Sequence, residues 1–224
     1  MGIKNNIISL IHACDKNSYA WDKWYERYSK FWPKEIPTVF ISEEKKFERD
    51  RIVNLTLGIG WQQGLINALD NYITEKYIIY QHEDFFLTGK VDLPTLTEIL
   101  RITEYHEADI MKCCGPHAGW DPSKFEKLDE NDMDGRIMIY KNSNEYLTSH
   151  QVSIWKKDFL RKTLDPKNNN WQHEIEGTKL ARKLKPKILA YRSGFKPPNC
   201  EPIPYIEVIK HGKYKPNVRQ YWSD

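Results

Sequence analysis

Short apolar runs alternate with stretches of helical period through the first half of the chain, and this alternation restricts the fold more than any other feature. Runs at residues 6–13, 38–42, 76–80 and 109–113 read as buried strands. Between them, Trp21, Trp24, Tyr25, Tyr28, Phe31 and Trp32 fall on one face of a helix expected over 18–31, which Pro33 ends. Trp61, Leu65, Leu69 and Tyr72 line one side of a second helix over 60–72. Leu96, Ile99, Leu100 and Thr103 do the same for a third that begins near Leu93 and Pro94. Parallel strands need crossovers of this kind. The pattern therefore predicts an α/β domain with a mixed, mostly parallel central sheet flanked by helices. Residues 43–58 are polar, show no period and read as a mobile loop.

The second half is less regular. Residues 115–135 read as a loop, 136–140 and 146–155 as strands joined by a turn at 141–144, and 156–164 and 171–184 as helices separated by a polar linker at 167–170. Late strands are expected at 187–191 and 204–209, beside the Pro-rich stretch 196–204. With 224 residues, no internal repeat and no low-complexity stretch, a single domain over 1–224 is the economical organisation.

Bulk properties exclude several classes. Thirty-four basic against 31 acidic side chains leave a net charge of +3, which gives no argument for nucleic acid. No apolar run has the length of a membrane span, and residues 1–11 lack the apolar core of a signal peptide. The expectation is a soluble, cytoplasmic protein with at most peripheral membrane contact. Cys14, Cys113, Cys114 and Cys200 form no CxxC pair and read as reduced buried thiols. Eight Trp and 13 Tyr suit a core packed with large rings, and equally a cleft that stacks against sugars or bases.

Chemistry concentrates in Tyr77-Ile-Ile-Tyr-Gln-His-Glu-Asp-Phe-Phe-Leu87, where the apolar run stops at Gln81, His82, Glu83 and Asp84. Carboxylates at the end of a buried strand are costly unless something cationic sits with them. In open α/β sheets those strand ends face the ligand crevice, which makes a metal or substrate site the natural occupant. Oxygen-rich ligands suit magnesium, manganese or calcium, and one His is compatible with manganese. The competing readings are a solvated turn, or Asp84 capping the next helix. Against a solvated turn, Phe85, Phe86 and Leu87 demand burial.

Three further clusters stand out. In 171–177, Trp171 and Glu174 share a helix face, so Glu174 held against an indole is a candidate general base; an exposed first-turn Glu has the same pattern. In 149–155, Ser149, Gln151, Ser153 and Trp155 alternate with His150, Val152 and Ile154, a strand face that would suit a sugar. Lys210, His211 and Lys213 could neutralise a diphosphate or supply a late metal ligand, or simply be surface. The absence of GxxxxGK[ST], GxGxxG and HExxH patterns argues against P-loop, dinucleotide-binding and zincin readings.

Taken in order, the strand at 7–13, the Gly60-Trp-x-x-Gly-Leu-x-x-Ala-Leu69 helix, the acidic segment 77–87, Ser149-x-Gln-x-Ser-Ile-Trp-Lys-Lys-x-Phe-Leu160 and Trp171-x-x-Glu-x-Glu-Gly-Thr178 resemble small GT-A-type glycosyltransferases of bacterial surface-polysaccharide clusters and large DNA viruses. The resemblance covers about residues 6–213. It implies a single GT-A-like (nucleotide-diphospho-sugar transferase) domain, with a nucleotide-binding half at about 1–114 and an acceptor-binding half at about 115–224. It also implies a UDP-, GDP- or dTDP-linked sugar donor, Mn2+ or Mg2+ at a DxD-type motif, and a glycan, lipid-linked or protein-linked acceptor in polysaccharide biosynthesis. The location would be cytoplasmic, the host cytoplasm for a viral protein.

Residue by residue, the resemblance places the motif on His82-Glu83-Asp84, with Asp84 as metal ligand and Glu83 touching ribose or metal. His82 stands where a strict DxD has Asp. Glu174 takes the place of the base of inverting members, and Lys210 or Lys213 would help the metal stabilise the departing diphosphate. Asp15 would lie near the nucleotide base or ribose, and Ser149, Gln151 and Trp155 would line the acceptor side beside Trp171. The rival from another class is a non-catalytic carbohydrate- or protein-binding module on the same fold.

Overall fold

Strands buried on both faces lack polar alternation, and β1 (Ile7–His12) is buried at every position. The computed structural model describes residues 6–58, 60–114, 121–128, 132–195, 198–216 and 218–221. After β1 a 3-10 turn, Asp15–Ala20, leads into α1 (Trp21–Phe31), which buries Trp21, Trp24 and Tyr28 and stops before Pro33. The α-helix thus begins at Trp21, the first aromatic of its period, and not at residue 18 as expected. Next comes β2 (Thr38–Ser42), also buried throughout.

Within 43–58, expected to be a mobile loop, lies β3 (Val53–Thr56), parallel to β2 with Val39 opposite Val53. Its outer positions are exposed, which is why no apolar run marks it. The preceding segment is tied to it by Asn54, which accepts from the Phe47 N–H at 2.8 Å and donates to the Phe40 carbonyl at 3.1 Å. Next, α2 (Trp61–Asn71) buries Leu65, Ile66, Ala68 and Leu69, while Tyr72 beyond its end is exposed. β4 (Tyr77–His82) continues two residues past the apolar run, because Gln81 is buried and donates to Ser9 Oγ at 2.9 Å. β5 (Phe85–Leu87), α3 (Leu93–Tyr105) and β6 (Ile110–Lys112) follow, with Asp92 capping α3 through the Thr95 N–H.

In 115–135, expected to be a loop, the described residues include β7 (Phe125–Lys127), paired antiparallel to β8 (Ile137–Tyr140). The strand expected over 146–155 shrinks to β9 (Ser153–Lys156). The residues before it bond to a helix instead. Thr148 N–H donates to Thr178 Oγ1 at 3.2 Å, and His150 N–H to Glu174 Oε1 at 2.8 Å. α4 (Lys157–Thr163) is followed by a continuous helical run: α5 (Asn170–Gln172), a π turn at His173–Gly177, and α6 (Thr178–Leu184). β10 (Ile188–Tyr191) completes the main sheet. β11 (Tyr205–Glu207) pairs with β5, and β12 (Ile209–Lys210) with β13 (Lys213–Tyr214) in a hairpin. His211 and Gly212 turn that hairpin at positive φ, 52° and 73°, which matches the twist of the strands.

The main sheet has the order β3-β2-β1-β4-β9-β6-β10-β8-β7, with β8 and β9 running against the others. One face packs on α1 and α3 through Trp24, Tyr28, Phe40, Ile99 and Ile102. The other packs on α2, α4 and α6 through Leu65, Leu69, Phe159, Leu160 and Ala181. Each buried Leu, Ile or Phe among these contributes roughly 2 kcal/mol from apolar area alone. The chain leaves β1 toward β2 with α1 on one face, and returns to β4 with α2 on the other. That makes the gap between the ends of β1 and β4 the topological switch point, where ligands of such sheets bind.

All four cysteines are unbridged. No described helix is long and apolar enough to cross a membrane.

Candidate active site

β1 and β4 end side by side, with His12 opposite His82 in register. Just beyond, Glu83 is buried and its Oε1 accepts from the Cys14 N–H at 3.2 Å and from Asn17 Nδ2 at 2.9 Å, tying the two strand ends together. Burial pushes its carboxyl up to about 7, opposed by those two donors. Asp15 clasps the chain after β2: Oδ1 accepts from Glu43 N–H at 3.1 Å, and Oδ2 from the Glu44 and Lys45 N–H groups at 2.8 Å each. Both its oxygens are thus engaged by protein backbone in this structure.

Asp84 differs from both. Its Oδ1 is buried without a hydrogen-bond partner among the described residues, while its main-chain carbonyl accepts from Val208 N–H at 2.8 Å. Burial first, then the charges of Glu83 and Glu207, raise its carboxyl well above the ordinary range, and Lys215 opposes them. Such an oxygen suits a cation. Among the described residues no three His, Cys, Asp or Glu side chains form a metal cage. A hard divalent ion held by one or two carboxylates and substrate phosphates does not require one, so Asp84 fits that kind of site.

His82 shares a hydrogen bond with the Tyr80 hydroxyl through Nε2 at 3.2 Å and stacks on Phe85, with ring centroids 5.8 Å apart. The same hydroxyl meets His12 Nδ1 at 3.0 Å, and His12 stacks on Trp61. Trp61 in turn lies 4.8 Å from the His150 ring, which stacks on His173. Burial lowers all four imidazoles, His82 and His173 to about 4. Tautomers follow from the hydrogen bonds. Thr163 Oγ1 donates to the Leu160 carbonyl, so it accepts from His173 Nε2 at 3.0 Å, leaving His173 Nδ1 to accept from His150 Nε2 at 2.7 Å.

Glu174 sits in the π turn. Single π turns are often found at functional sites, and this one has a local cause. A Cβ on Gly177 would stand 2.8 Å from His173 Cδ2 and 3.0 Å from Thr148 Oγ1, so only glycine allows this approach. The His150 N–H fixes Glu174 Oε1 at 2.8 Å. Burial raises the Glu174 carboxyl; the His150 bond and Lys112 lower it, and Glu207 adds to the rise. Trp171, expected to shelter it, is 64% exposed. The segment carrying Thr148 and His150 covers Glu174 instead.

On the expected acceptor side, Ser149 Oγ accepts from Lys112 Nζ at 2.9 Å, and Gln151 is exposed. Trp155 is 0% exposed, which corrects its placement on an acceptor surface. β9 is an internal strand between β4 and β6, so its large side chains go to the core. Lys210, His211 and Lys213 are exposed on the β12–β13 hairpin. Tyr19 anchors that hairpin, donating to the Gly212 carbonyl at 3.0 Å and packing edge-on against Tyr214. Val208, immediately before the hairpin, donates its N–H to the Asp84 carbonyl at 2.8 Å, which places the hairpin beside the acidic corner. Reasoning from sequence missed Lys112, Glu207, Tyr80, His12 and His173. Only the buried strand end at Lys112 carried a signal: a charged residue closing an apolar run.

No family model matches this sequence, and no curated protein matches it. Among solved structures it is similar to S. aureus TarS 1-349, at a TM-score of 0.52 and 14% identity over 84% of this chain and 58% of that one. For the same fragment in complex with UDP-GlcNAc the TM-score is 0.52 and the identity 13%, over 93% and 60%. The chain thus spans less than two thirds of that fragment. Francisella tularensis 2-C-methyl-D-erythritol 4-phosphate cytidylyltransferase (IspD) is similar at a TM-score of 0.50 and 12% identity, over 92% and 94%. These likenesses, with the sheet order above, show that the chain has a GT-A-like α/β fold.

Proposed function

We propose that the protein is an inverting glycosyltransferase that moves a sugar from a nucleoside-diphosphate donor to a hydroxyl acceptor. The observation that carries this reading is an unpartnered buried carboxylate oxygen on Asp84 together with a second carboxylate, Glu174, aimed by a main-chain N–H. The segments that carry them meet: the His82 ring, two residues before Asp84, lies 5.1 Å from the ring of His150, whose N–H holds Glu174. A structural neighbour that binds UDP-GlcNAc, and another named as a cytidylyltransferase, support a nucleotide-linked donor.

Asp84 would hold a divalent ion, Mn2+ or Mg2+, which when bound neutralises charge gathering on the leaving diphosphate. Glu83, its Oε1 engaged by Cys14 and Asn17, keeps the β1 and β4 ends at fixed spacing. Lys210 and Lys213 add positive charge from the hairpin. Glu174 takes the proton of the acceptor hydroxyl while the acceptor oxygen bonds to the anomeric carbon and the bond to the diphosphate breaks on the opposite side. Inversion follows from that single displacement. A raised carboxyl pKa brings Glu174 closer to the range of an efficient base.

The test is release of nucleoside diphosphate from a panel of nucleotide sugars, with and without Mn2+, and the anomeric configuration of the product. Glu174→Gln should abolish transfer and leave donor binding nearly intact. No release with any pair, together with no nucleotide binding, would overturn the proposal and leave a carbohydrate- or protein-binding module.

A further inference from the structure

Lys112, at the end of β6, is a half-buried ammonium that the mechanism above does not use. Its Nζ donates to Ser149 Oγ at 2.9 Å and lies 4.8 Å from the centre of the Tyr140 ring. Ser149 is joined directly to His150, whose N–H holds Glu174 Oε1 at 2.8 Å. The ammonium, the hydroxyl, one peptide and the carboxylate therefore form a short continuous link from β6 to the π turn. We infer that Lys112, acting through the Ser149–His150 segment, is the positioning residue that keeps Glu174 aimed and charged. The inference rests on the proposed role of Glu174 as base.

The surroundings of Glu174 support a cation in this place. Glu207, from β11, is a like charge that opposes ionisation of Glu174, and Lys112 is the cation that favours it. Glu207 is itself paired with Lys215 at 2.6 Å. Tyr80, from β4, is a phenol held neutral, and His150 and His173 are held neutral by burial. On the same helix, Glu176 pairs with Lys179 at 2.7 Å and is exposed. Taking an ammonium partly out of water costs free energy that a neighbouring carboxylate offsets. Here its charge has a receiver. Burial lowers the ammonium to about 8 and Glu174 opposes that shift, so the cation persists at neutral pH.

Two readouts test this. One is the titration of the Glu174 carboxyl by NMR of isotope-labelled glutamate, assigned by the signal lost in Glu174→Gln. The other is the acid limb of the pH profile of transfer. Lys112→Met should move both to higher pH by about one unit, as loss of a neighbouring opposite charge does. Lys112→Arg should restore both.

Should Lys112→Met fail to fold, Lys112→Gln carries the same test. A Glu174 carboxyl that titrates at the same pH with and without the lysine charge overturns the inference, whether or not transfer is found. Absence of transfer with a shifted carboxyl overturns the proposed function alone.

Discussion

Asp84 and His173 illustrate opposite ways in which one buried group can make demands on a fold. Asp84 Oδ1 has no partner among the described residues, and its carboxyl is held well above the ordinary range by burial and by Glu83 and Glu207. Asp84→Asn replaces a costly carboxylate with a neutral amide, so stability in urea should stay level or rise. Thermal stabilisation by a nucleoside diphosphate with Mn2+ should vanish in the same variant; if it persists, Asp84 does not hold the cation. His173 is 1% exposed and burial depresses its imidazole from 6.5 to about 4. A depressed pKa gives stability that is fully present above 6.5 and is lost as pH falls through 4. The contribution is on the order of 3 kcal/mol. The stability gap between wild type and His173→Gln should therefore narrow from pH 7 to pH 4 in urea titrations, and an unchanged gap would contradict that assignment.

At the scale of elements, the π turn and β9 carry the sharpest consequences. Gly177→Ala pushes a methyl into the His173 ring and Thr148 Oγ1, and overpacking of this kind costs about 1–3 kcal/mol. The turn that presents Glu174 must shift, so transfer should fall by more than nucleotide affinity, which is read separately by calorimetry. Trp155 fills the core between β4 and β6. Trp155→Ala should cost about 3–5 kcal/mol. Trp155→Phe, which keeps most of the volume, should leave the acceptor KM unchanged, and a severalfold rise would return Trp155 to the acceptor surface. β1, β2, β4, β6 and the helices α1 to α4 were legible because each carries its own period or apolar run. β3 and β7 were not, since edge strands bury one side and leave a weak pattern. The segment before β9 alternates like a strand, yet its N–H groups at Thr148 and His150 are taken by Thr178 and Glu174.

Across the whole molecule, stability should follow burial. Amides of β1, β2 and β4, enclosed between two apolar layers, should exchange with solvent only through global unfolding, whereas β3 and the β12–β13 hairpin should exchange through local opening. Hydrogen exchange read by mass spectrometry distinguishes the two groups, and early exchange of β1 would show that the sheet does not open as described.

The sequence by itself determined the α/β alternation, the place where the apolar run of β4 yields to Gln81, His82, Glu83 and Asp84, and the candidacy of Glu174. These are local patterns, set by side-chain period and by the cost of burying charge. Only the tertiary structure decided that His82 faces Tyr80 and Phe85, that Asp15 binds the 43–45 backbone, that Trp155 lies inside, and that Lys112 reaches Glu174 through Ser149 and His150. Those outcomes depend on strand order and on packing between residues far apart in the chain, which no local period records.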